Sequence, residues 1–60
     1  MNNLTEKEVG YISDLLTYEG QAMKKARLYS RTLTDKTLAE GMCKIAESHE
    51  KRYNMLLNLL

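Results

Sequence analysis

Glu19 and His49 each interrupt an otherwise apolar stripe of helix-spaced residues, one in either half of the chain. Each lies fifteen residues from Thr34, in the one segment suited to a turn. An antiparallel hairpin folded there brings the carboxylate and the imidazole into one layer facing the core. Two chemistries are open to such a pair. Imidazole and carboxylate on facing helices are ligands for a transition-metal ion. They can equally form a buried hydrogen bond that fixes the register of the helices.

The ligand set decides between them only in part. Helix-bundle dimetal sites take one Glu from each of two helices and a Glu-x-x-His from each of the other two. Here Ala46 stands three residues before His49, so the second carboxylate is missing. Glu47 lies about 200° around the helix from His49 and is a poor substitute. A two-fold dimer would gather two Glu19 and two His49, enough for one four-coordinate ion of iron or another transition metal but not for a carboxylate-bridged pair. Glu19 and His49 are therefore the candidate metal ligands, with the hydrogen-bonded pair the simpler reading, and no cofactor is required. Cys43 and His49 are nearly two turns apart on one helix, and no Ser-His-Asp set can be assembled. The expectation is a protein that is not an enzyme.

The elements that must position this layer are two helices. Thr5-Glu6-Lys7-Glu8 is a capping box, in which the Thr5 hydroxyl and the Glu8 carboxylate each satisfy the other's backbone amide. From there Val9, Ile12, Leu15, Leu16, Glu19 and Ala22 recur at steps of three and four, and Met23, Ala26, Ser30 and Leu33 continue the stripe. The break falls at Leu33-Thr34-Asp35, where Thr34 or Asp35 can cap a second helix. Leu38, Met42, Ile45, Ala46, His49 and Tyr53 carry its apolar side, which runs on through Leu56, Leu57 and Leu60. The spacing predicts helices over residues 5–32 and 35–59, joined by a turn at 33–35, in a single domain spanning 1–60. Tyr53, one turn after His49, either donates its hydroxyl to the polar layer or wedges its ring between helices, the more common use. Gly10, Gly20 and Gly41 inside the helices read as tolerated drift, although Gly20 beside Glu19 would permit close approach of another helix.

Size limits what this architecture can do alone. Sixty residues with 43% hydrophobic and 28% charged side chains describe a globular rather than a disordered chain. Chains this short rarely build a sufficient core without disulfides, a metal or self-association. The single cysteine excludes an intrachain disulfide. The expected fold is thus all-α: an antiparallel two-helix hairpin that forms a homodimeric four-helix bundle. Lys24, Lys25, Arg27 and Arg31 make a positive stretch, but the net charge is only +1 and no recognition motif accompanies it. They read as a solvated face near a helix C-terminus, as do Glu47, Glu50, Lys51 and Arg52 on the second helix. Neither nucleic acid nor membrane is an expected partner, since no apolar run approaches the roughly 20 residues of a bilayer span. Met1-Asn2-Asn3-Leu4-Thr5-Glu6 has no basic or apolar leader character, which with cysteine-poor usage points to an intracellular protein.

A resemblance adds to these readings. Glu19, Asp35 and the run Ile45-Ala46-Glu47-Ser48-His49, followed by Tyr53 and Leu56-Leu57, resemble the spore coat protein F family, a ferritin-like group of spore-forming Firmicutes. The similarity spans Leu4 to Leu60. It implies a helical-hairpin half of a ferritin-like bundle, with Glu19 and His49 at positions matching ferritin-like metal ligands. It also implies a structural role in the spore coat, other coat proteins as partners, and a connection with sporulation. The departure at Ala46 argues against ferroxidase or peroxidase chemistry.

Overall fold

A computed structural model of the chain describes residues 3–60. Two helices, α1 (Glu6–Thr32) and α2 (Lys36–Asn58), pack against each other as an antiparallel hairpin 47 Å long. There is no strand among the described residues. Met1 and Asn2, part of the segment read for a leader, lie outside them.

Both starts are set by side chains. The Glu8 amide donates to Thr5 Oγ1 at 3.1 Å, and the Thr5 amide donates to Glu8 Oε1 at 2.9 Å, which completes the capping box. Thr5 has extended backbone angles, so the first helical residue is Glu6 rather than Thr5. Asp35, not Thr34, caps α2: its Oδ1 accepts from the Leu38 amide at 2.9 Å. That capping role takes Asp35 out of the helix, and the chain leaves the helix again at Leu59.

The buried seam is narrower than the apolar stripes. On α1 it runs Ile12, Leu16, Glu19, Met23, Ala26, Ser30, and on α2 Ala39, Met42, Ala46, His49, Tyr53, Leu56. Steps alternate between three and four, the spacing of a two-helix seam. Residues flanking it stay open. Val9 and Leu15 on α1, Leu33 just after it, and Leu38, Ile45 and Leu57 on α2, were expected inside and are all exposed, as is Leu60 beyond α2. The reason is geometric: one neighbouring helix covers a strip two residues wide, whereas an arc of 100° or more needs further neighbours.

Ala46 has no accessible surface, so its methyl group is closed in between the helices. Gly20 supplies a second close contact. A Cβ added there would stand 3.3 Å from Tyr53 Cε2, so its small size makes room for the Tyr53 ring, whereas one at Gly10 or Gly41 meets nothing within 4 Å. The drift reading is therefore corrected for Gly20. Among the described residues no hydrogen bond ties Tyr53 to the polar layer, and its ring does the wedging.

Candidate functional site

Glu19 is the middle residue of α1 and the one buried charged side chain among the described residues, 7% exposed. A carboxylate at such a position needs partners for both oxygens. His49 Nδ1 lies 2.5 Å from Glu19 Oε1, and Arg52 Nε donates to Glu19 Oε2 at 2.9 Å. The predicted meeting of Glu19 and His49 across the hairpin is thus present, and a third residue joins it.

The protonation pattern follows from donor and acceptor capacity. The His49 hydrogen bond, helped by the Arg52 hydrogen bond and the charges of both, outweighs desolvation and holds the Glu19 carboxyl below its ordinary value. The ionised carboxylate can only accept, so Nδ1 carries the proton it shares with Oε1. Arg52 Nη2, 3.0 Å from the same nitrogen, is a donor facing a donor and makes no bond there. The arginine acts on the carboxylate through Nε. Tyr18 stands edge-on to the imidazole, ring centroids 6.2 Å apart and planes at 82°, and so fixes its tilt from the α1 side.

No protein-family model, curated protein or solved structure matches the chain. What the site can do is therefore read from its own residues.

Arg52 was missed by a reading that put it on the solvated surface. Its signal is spacing: it follows His49 by three residues, one turn along the same helix, with a side chain long enough to reach back across the seam. Arg27 also reaches across, from the solvated face. It crosses to Glu50 at 2.5 Å, a second polar link between the helices, half in water. The two links lie on opposite broad sides of the hairpin, since Arg52 leans over the Leu15 flank and Arg27 over the Gly20 flank.

For metal binding, the set assembled within one chain is one carboxylate and one imidazole. No group of three or more His, Cys, Asp and Glu able to hold an ion occurs among the described residues. Both Glu19 oxygens are engaged, so an ion at the carboxylate must displace Arg52 or His49. The Ala46 position, where a second carboxylate would stand, is filled by a methyl group with no space around it. Cys43 is an exposed free thiol on the Arg27–Glu50 side of α2.

Proposed function

We propose that this chain is a structural, self-associating helical module rather than an enzyme. The observation that carries the reading is the mismatch between seam and surface. The hairpin buries Ile12, Ala26 and Ala46, while Leu15, Tyr18, Leu38, Ile45 and Met55 remain 45% to 61% exposed. Apolar surface of this extent on a two-helix unit is what association covers. Its polar layer is closed on itself, with every buried side-chain nitrogen and oxygen among the described residues partnered, which suits a register device better than a reacting centre. Coat-type assembly of a ferritin-like four-helix bundle inside a sporulating cell, with other coat proteins as neighbours, is the context the sequence resemblance suggests. No helix of the described residues is long and apolar enough to cross a membrane. Sedimentation equilibrium at micromolar concentration tests the reading. A species near twice the 6.9 kDa chain mass is expected, and a folded monomer refutes it.

One feature of the site favours a second reading, transition-metal binding. Glu19 holds Nδ1 of His49 as a carboxylate does when it orients an imidazole to ligate through Nε2. Two copies would bring two such imidazoles. Elemental analysis of protein purified without chelator distinguishes the readings: stoichiometric metal, lost in Glu19→Ala or His49→Ala, supports this one.

A further inference from the structure

The two broad sides of the hairpin differ in kind. One carries the Arg27–Glu50 pair and a groove in which Ser13, Thr17, Gln21 and Lys24 stand beside Leu16, Met23 and Tyr53, the more polar of the two sides. The other presents Leu15, Tyr18 and Tyr29 from α1 and Leu38, Ile45 and Met55 from α2, all exposed. Around Glu19 and Arg52 it opens into a groove of about 170 Å³ between Leu15, Met55 and Leu56. Near its middle this side carries Arg52, already spent on Glu19, and Lys25 beside Tyr18 and Ala22.

We infer that a second copy of this chain docks on that apolar side, with turns at opposite ends and the two-fold axis crossing the helices at the level of Glu19. The inference rests on the self-association proposed above and assigns its face and direction. Size fits: the broad side of the Cα envelope measures 47 by 14 Å, a footprint of roughly 650 Å² before side chains widen it, against the ~800 Å² per partner of a stable interface. Charge selects a second copy and its direction. A chain of net charge +1 repels its own kind little. Over both helices, the turn half (residues 20–48) carries six basic and three acidic side chains, whereas the open half carries three basic and five acidic ones. Turns at opposite ends set the basic half of one copy beside the acidic half of the other; turns at the same end set like beside like. Because Glu19 is central in α1, this arrangement stacks the two Glu19–His49–Arg52 layers at the middle of the bundle. The layers then pin the register of four helices rather than two.

Single cysteines in a Cys43→Ser background, treated with a short bis-maleimide, test face and direction together. Ala22→Cys lies on the apolar side one turn from Glu19, Leu38→Cys on the same side at the turn end, and Thr17→Cys on the polar side. The Leu38 sites of two copies would be about 33 Å apart, eleven residues of rise on either side of the axis. Cross-linked dimer is expected for Ala22→Cys alone. Cross-linking of Leu38→Cys overturns the direction, and cross-linking of Thr17→Cys overturns the face. No cross-link at Ala22 in a chain that sediments as a dimer overturns the inference while self-association stands. A monomer by sedimentation removes both, and gives the face to a different partner.

Discussion

Ala46 offers the sharpest test of how the polar layer is held. It lies one turn before His49 on the seam, with no accessible surface, so the separation of the helices at that level is set by its methyl group. Both a smaller and a larger residue should therefore destabilise. Ala46→Gly loses about 1 kcal/mol of helix propensity and about 0.8 kcal/mol for the buried methyl, close to 2 kcal/mol together. Ala46→Leu changes propensity little but inserts three carbons into a closed contact, an overpacking that costs about 1–3 kcal/mol. In a domain of this length each kcal/mol moves the midpoint of thermal unfolding by about 4–8 °C. Lys44→Gly, exposed on the outer side of α2, is the control and should lose the propensity share alone. Circular dichroism during thermal or urea unfolding reads all three. Ala46→Leu as stable as the parent would mean the helices do not touch there, and the short path from Glu19 to His49 would lose its support.

The polar layer itself should be strongly coupled. Glu19→Leu and His49→Leu should each destabilise, while the double replacement is neutral or stabilising because no polar group is left stranded; additive effects in a double-mutant cycle on urea unfolding would refute the shared layer. Acid should weaken the layer. The depressed Glu19 pKa means the unfolded chain binds its proton first, so the contribution is complete above the ordinary value of 4.5 and is lost as pH falls through the folded one. The advantage of the parent over Glu19→Gln should shrink accordingly in urea titrations at decreasing pH, and an advantage unchanged down to about pH 3 would contradict it. The glycines should separate: Gly10→Ala and Gly41→Ala meet nothing within 4 Å and should each gain about 1 kcal/mol. Gly20→Ala should gain clearly less because Tyr53 must give way, and equal gains at all three sites would deny the Tyr53 contact.

The fold was legible where local chemistry speaks. Thr5 with Glu8, and Asp35, announce helix starts through side chains whose partners are three residues away, and the structure places the helices within a residue of expectation. The Glu19–His49 meeting was legible because equal spacing from a short turn fixes which residues share a layer. Arg52 and Arg27 were not. A long flexible side chain on the flank of a seam reads as solvent-facing from its position, and only the geometry of the opposite helix shows what its tip can reach. The width of the seam was overread for a similar reason: periodicity reports how much of a helix is apolar, not how many neighbours cover it.

The three-residue link between α1 and α2 also orders the way the hairpin closes. Arg27–Glu50 spans 23 residues of chain, Glu19–His49 spans 30 and Glu19–Arg52 spans 33. Each contact made nearer the turn shortens the loop that the next must close, and loop closure is the entropic cost of every long-range contact. Folding from the turn outward is thus a zipper with few large steps, the kind of topology that folds fast. The central layer is its checkpoint. A slip of one residue during zipping sets Glu19 opposite Ser48 or Glu50 and costs the carboxylate its imidazole partner, whereas the correct register satisfies both of its oxygens with His49 and Arg52.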